Sequence, residues 1–463
     1  MKIRSSFAVI AIISVLTILP VSAQIGKRFP SERKIVKDPV TGTELIFLTS
    51  TPAGDSKIYP THPQWTSDGE WLIFRSSRVE GEAMAVNEKT GDLVQVTEGG
   101  YTGMLNIAQN SMKLYYMRNI KANDEENSEN SSSLEVVETD LAKLFADSKA
   151  GKMKSVEAYQ RTCGITPEAM EAGGDMALDA GEEWVYFRVG KEEAAKHLNA
   201  NVEVEPNFGP RNMGAGPGGI AKMNIKTGEI KHVVSVPFQV GHIQSNLWNP
   251  GEIIFSWETG GKSPQRTWTV MEDGTGLRPL YPEADYEWVT HEAVISKDEV
   301  AMAIMGHRDI DIQDQPLEEA TTSTGIRDPK NPGQETSWGP SGTREKPTGL
   351  AIVNLRTREM FIAGQTSSGS GLWHVHGSPD GRWAVGDDFS RSLYLIDRNT
   401  REMKMLTTGH KETAADHLHP TFKPDGTKIQ IQSAMLSEDG RSMNIVIVPV
   451  PEDWLQRTYP NKI

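Results

Sequence analysis

Seven of the eleven histidines in this chain stand at the openings of similar segments. Imidazole binds transition metals and moves protons near neutral pH. His62 lies in THPQWTSDG, His242 in VGHIQSNLWNPG and His291 in VTHEAVISKDE. His374 and His376 begin HVHGSPDG, and His417 and His419 begin HLHPTFKPDG. In a strand, residues i and i+2 share a face, so His417 and His419 can point toward one ion. His374 and His376 repeat that spacing one unit earlier, and His291 lies two units before His417. Two readings stay open at this point. Several histidines gathered about one axis could form a metal or acid–base site. A histidine repeated at one structural position could equally be framework, and for His62 framework is the expectation.

The segments carrying these histidines are repeats. Residues 62–99, 374–409 and 417–450 each contain a short strand, an Asp-Gly turn, a second strand, a loop and a third strand. A turn such as KTGD or RNTR and a fourth strand usually follow. Weaker copies occupy 101–163, 172–236, 238–287 and 288–365. The expected fold is all-β, a seven-bladed β-propeller of four-stranded antiparallel blades, with residues 24–463 as one domain. Residues 34–49 are expected to supply a strand that completes the last blade. Trp71, Trp184 and Trp383, on second strands, are expected in the core rather than on a ligand platform. SVEAYQRT (155–162) reads as a short helix. NDEENSENSSS (123–133) is a low-complexity loop, and residues 307–347 form a long polar loop suited to wall a pocket.

Bulk properties limit the partners. Residues 1–23 read as an export signal: Lys2 and Arg4, an apolar run from Phe7 to Leu19, and Val21-Ser22-Ala23 before Gln24. A periplasmic or secreted protein is expected. No later run approaches the length of a membrane span. Cys163 is the only cysteine, which excludes an internal disulfide framework and a cysteine metal cluster. A net charge of −14 argues against nucleic acid or an anionic membrane as partner. An anionic sugar stays open, because local pocket charge can oppose the overall balance.

Several segments together resemble the oligogalacturonate lyases. These are DPVTGTELIFLT (38–49), IAKMNIKTGE (220–229), VGH (240–242), RTWTVMEDGTGLRPL (266–280), VTHE (289–292) and HLHP (417–420). That family consists of seven-bladed propellers that cleave short uronate chains by β-elimination with a divalent metal, typically manganese. The resemblance implies His242 as Brønsted base and His291, His417 and His419 as metal ligands. It implies a fourth ligand, a glutamine, at the position held here by Ala414, for which Asp416, Glu412, His374 or a water could stand in. It also implies an arginine ahead of the base-bearing blade, where Arg211 in GPRNMGAGPGG is the nearest candidate.

The implied chemistry is coherent. The proton at C5, α to the uronate carboxylate, becomes acidic when a divalent ion withdraws charge from that carboxylate. A neutral histidine can then remove it, and an arginine can clamp a carboxylate through two parallel hydrogen bonds. The expected function is an exported lyase acting on a uronate-containing oligosaccharide or polysaccharide. The alternative is a non-catalytic TolB-like propeller that binds proteins or glycans. A peptidase-associated propeller is disfavoured, because there is no Gly-x-Ser-x-Gly elbow and no room for a hydrolase domain. Tyr115, Tyr116 and Arg118 remain unassigned candidates, since related propeller lyases use His, Tyr and Arg.

Overall fold

Local turn chemistry builds each repeat. In the first blade Asp68 Oδ1 accepts hydrogen bonds from Thr66 Oγ1 (2.6 Å) and Glu70 N (3.0 Å). Asp380 does the same in the sixth blade with Ser378 Oγ (2.6 Å) and Arg382 N (3.0 Å). Gly69 and Gly381 follow those aspartates at φ +68° and +72°, a left-handed turn that a Cβ would strain. A second turn joins third and fourth strands. There the side-chain oxygens of Asn87, Asn224, Asn354 and Asp397 accept the amide three residues on, from Thr90, Thr227, Thr357 and Thr400.

The computed structural model describes residues 24–120, 133–207, 213–261, 263–284, 287–305, 348–365 and 371–459. They form seven antiparallel sheets of four or five strands, the blades of a β-propeller. The innermost strands are Ser56–Lys57, Thr102–Ile107, Met176–Leu178, Val240–Ser245, Val289–Ser296, Val375–Gly377 and Thr421–Phe422. Among the described residues no helix is long and apolar enough to cross a membrane. The leader-like residues 1–23, residues 123–132 and residues 307–347 lie outside the described residues.

Residues 34–49 contribute two strands rather than one. Glu44–Phe47 pairs with the strand Asn444–Pro449, and Lys34–Lys37 adds outside it. The last blade is therefore closed by the start of the chain. Polar contacts lock this closure: Asp38 Oδ2 accepts from Thr407 Oγ1 (2.7 Å) and Thr408 N (3.0 Å) in the sixth blade. Arg78 pairs with Glu32 at 2.7 Å and with Asp55. Leu45 and Phe47 are buried among Trp383, Val385, Phe422 and Val446, between the sixth and seventh blades. Phe47→Ala should lower unfolding free energy by about 3–5 kcal/mol, read from urea denaturation, because it leaves a cavity at the ring closure.

Two local expectations need correction. The first blade opens at Ser56–Lys57, ahead of His62, and only a Trp65–Leu72 bridge forms after that histidine. Residues 155–162 hold just one 3-10 turn, Val156–Ala158, before the outer strand Gln160–Ile165. The helix of this blade is Leu141–Ala150 instead. Its Leu141, Leu144, Phe145 and Ser148 are buried at helical spacing. Asp140 caps it by accepting from Lys143 N, and Gly151 ends it in the left-handed conformation. Of the second-strand tryptophans, Trp71 and Trp383 are buried, while Trp184 is half-buried beneath Lys222 and Lys231.

Candidate active site and metal centre

Three histidines share one unusual backbone state. His242, His291 and His419 have φ of 50°, 52° and 51°. Each sits in a one-residue bulge at the start of an inner strand. Pairing passes from Gly241–Ser256 to Gln244–Ile254 around His242, and from Thr290–Ala303 to Ala293–Ala301 around His291. Around His419 it passes from the Gln432 N to Leu418 O bond to the Thr421–Gln430 pair. A left-handed L-residue costs on the order of 1–3 kcal/mol, and such strain clusters at functional sites. Here the bulges turn three imidazoles out of the ladder at one end of the blades.

His374 lies just before the inner strand of the sixth blade, and buried Asp387 organises its surroundings. One carboxylate oxygen accepts from His374 N (2.7 Å), the other from Leu418 N (3.1 Å) in the seventh blade. The same carboxylate lies 3.3 Å from His374 Nδ1 and 3.4 Å from His417 Nδ1. Ligand atoms of His374, Asp387 and His417 all fall within 4.8 Å of one another. Two more imidazoles flank His374, with ring centroids at 4.3 Å for His291 and 3.9 Å for His419. Asp416 lies 3.2 Å from His419 Nε2.

The donor set suits a divalent transition ion. Burial pushes His374 down to about 3, with His419 adding to the effect and Asp387 opposing it, so the ring is neutral at physiological pH. Burial and the neighbouring His374 also hold His291 well below the usual histidine range. Burial would raise Asp387, but His374 and His417 outweigh it and keep the carboxylate ionised. His417 Nδ1 is buried and makes no hydrogen bond. Neutral imidazoles with one carboxylate are an N/O set that binds manganese, iron or zinc.

His242 stands apart from this cluster. Its Nε2 is 3.1 Å from Glu258 Oε2, and its Nδ1 is 3.5 Å from Glu292 Oε1. Buried Arg266 ties the two carboxylates together, at 2.9 Å from Glu292 and 3.5 Å from Glu258. Burial opposes charging of His242, but the Glu258 hydrogen bond and the fields of Glu258 and Glu292 prevail and raise its pKa. Tyr59 lies against both halves of the site. Its ring is edge-on to His242 and His419 at 5.2 Å each, and to His374 at 6.4 Å.

The structure thus brings His291, His417 and His419 together around His374 and places His242 beside them. Arg211 lies outside the described residues. Ala414 sits in a turn, its N–H bonded to Lys411 O, and Glu412 is exposed. His62 and His376 lie elsewhere. His62 Nε2 is bonded to Met176 O at 2.8 Å and Nδ1 to Thr61 Oγ1 at 2.7 Å. His376 Nδ1 accepts from Phe422 N, and both rings line a cavity of about 120 Å³ with Trp248 and Thr421. His374 and His376 therefore do not act alike, because two residues along a strand advance about 6.6 Å.

Sequence reading missed Asp387, Glu258, Glu292, Arg266 and Tyr59. A signal existed for two of them: Glu258 directly follows the second strand EIIFSW, and Asp387 closes WAVGD, whose other residues are uncharged. Tyr115, Tyr116 and Arg118 belong to a different place. Tyr115 donates to Glu138 (2.9 Å), Tyr116 meets the Gln160 amide (2.7 Å) and Arg118 pairs with Glu135 (2.6 Å). Arg118 lines a groove of about 850 Å³ with Glu82, Glu98, Glu135 and Glu157. That excess of carboxylates disfavours an anionic sugar there.

No protein-family model and no curated protein matches the sequence. Solved structures do match in fold. An oligogalacturonate lyase in complex with manganese aligns with a TM-score of 0.65 at 16% identity, covering 94% of this chain and 100% of the other. The oligogalacturonate lyase from Vibrio parahaemolyticus aligns with a TM-score of 0.65 at 17% identity, covering 93% and 100%. At such identity the likeness establishes the shared seven-bladed propeller.

Proposed function

We propose that this chain is a propeller lyase that cleaves uronate-containing oligosaccharides or polysaccharides by metal-assisted β-elimination. The observation that carries the reading is the pairing of two unlike clusters at one end of the blades. A histidine–carboxylate set lies beside a separate histidine held by its own carboxylates. The fold shared with oligogalacturonate lyases supports the same reading.

His374, Asp387 and His417 would hold a divalent ion, probed first as manganese, with His291 and His419 completing the set. When bound, such an ion supplies Lewis acidity toward a uronate carboxylate. His242 is assigned as the base. Its Nε2 faces Glu258, and its buried Nδ1 faces Glu292. Arg266 is buried between Glu258 and Glu292, so it balances their charge rather than reaching substrate. Arg211, which precedes the base-bearing blade in sequence, is assigned the carboxylate clamp. Export, expected from residues 1–23, belongs to the same proposal.

The test is a panel of uronate polysaccharides and oligosaccharides, followed by the ultraviolet absorbance of unsaturated uronate products. Product is expected on at least one substrate, with loss on chelation and return on adding manganese. No product on any of them, with no bound metal by elemental analysis, would favour a non-catalytic binding propeller.

A further inference from the structure

The proposed elimination needs a second proton transfer, and no residue has yet been given that task. The oxygen leaving C4 departs as an alkoxide unless something protonates it. The candidate must stand beside both the base and the metal set, and must have a proton free to give. Tyr59 meets both conditions. Its ring touches His242 on one side and His419 on the other, at 5.2 Å between centroids in each case. Its backbone carbonyl is held by His62 N (3.0 Å) and Gln64 Nε2 (3.2 Å), which fixes the residue from outside the site. Among the described residues, the Tyr59 hydroxyl makes no hydrogen bond, whereas the hydroxyls of Tyr115, Tyr186 and Tyr459 all donate to carboxylates. The residue as a whole is half-buried.

Resting on the lyase reading, we infer that Tyr59 is the catalytic acid that protonates the leaving oxygen at C4. His242 takes the C5 proton, and the electron pair of that bond forms the C4–C5 double bond. The C4–O4 bond breaks with its electrons on O4, which receives the Tyr59 phenolic proton. The phenolate regains a proton from the imidazolium of His242 or from water, restoring both groups. No oxidant or co-reactant is required.

Tyr59→Phe removes only the hydroxyl and keeps both ring contacts. On the natural glycosidic substrate its kcat should fall roughly 10²–10⁴-fold, while a uronate bearing 4-nitrophenolate at O4 should be turned over within about threefold of wild type. The aryl leaving group departs without a proton, so it bypasses the acid. Manganese content and melting temperature should match wild type. Equal losses on both substrates would assign Tyr59 a merely structural role, and wild-type rates on both would remove it from the reaction. Either result overturns the inference while leaving the lyase reading intact. Absence of product from the wild-type protein would instead overturn that reading, and this inference with it.

Discussion

His242→Ala should lower kcat/KM on the uronate substrate by roughly 10²–10⁴-fold while bound metal stays at the wild-type level. The split follows from the geometry. His242 meets Glu258, Glu292 and Tyr59, whereas the histidine–carboxylate set is built around His374 and Asp387. Removing the ring leaves Glu258 and Glu292 still paired with Arg266. Metal lost along with activity would make His242 a ligand and not a base. The pH profile sharpens the same prediction. A base works in its neutral form, so activity rises with pH through the pKa of His242. That pKa is raised above the ordinary 6.5 because Glu258 and Glu292 outweigh burial. The acid limb of kcat/KM should therefore lie above 6.5. Glu258→Gln removes the nearest negative charge and should move the limb to lower pH. A limb unmoved by that substitution would place the titrating base elsewhere.

His374→Ala and His417→Ala should each weaken manganese binding by at least roughly 10–100-fold, a range that residues behind the metal ligands already reach. The measurement is metal titration with elemental analysis of the purified variants. His62→Ala is the control and should keep the metal, because both its ring nitrogens are bonded within the framework. Activity should fall with metal occupancy in the two ligand variants. Wild-type affinity in His374→Ala would confine the set to His291, His417 and His419. Asp387 is a harsher probe. Its two oxygens accept the amides of His374 and Leu418 as well as facing two imidazoles. Asp387→Asn would turn an amide donor toward one of those N–H groups, costing about 1–3 kcal/mol of stability besides the metal. The histidine variants separate binding from folding more cleanly.

The sequence by itself determined the repeat. Asp68 and Asp380 make their turns with residues two positions away, and Asn87, Asn224 and Asn354 make theirs within three. Interactions that short can be read along a chain, and they specify four-stranded blades and their number. Closure by residues 34–49 was legible from position, because a last blade lacking a strand needs one from the other end. The histidines were legible as candidates, but not their sorting. His374 looked equivalent to His376, while His62 was already expected as framework. Only the ring, closed between the first and last strands, sets His374 of the sixth blade against His291 of the fifth and His419 of the seventh. Only the bulges, invisible in residue type, turn His242, His291 and His419 out of their ladders. Asp387, Glu258 and Tyr59 gained their places in the same way. Their partners lie on other strands and blades, and closure of the ring brings them within reach.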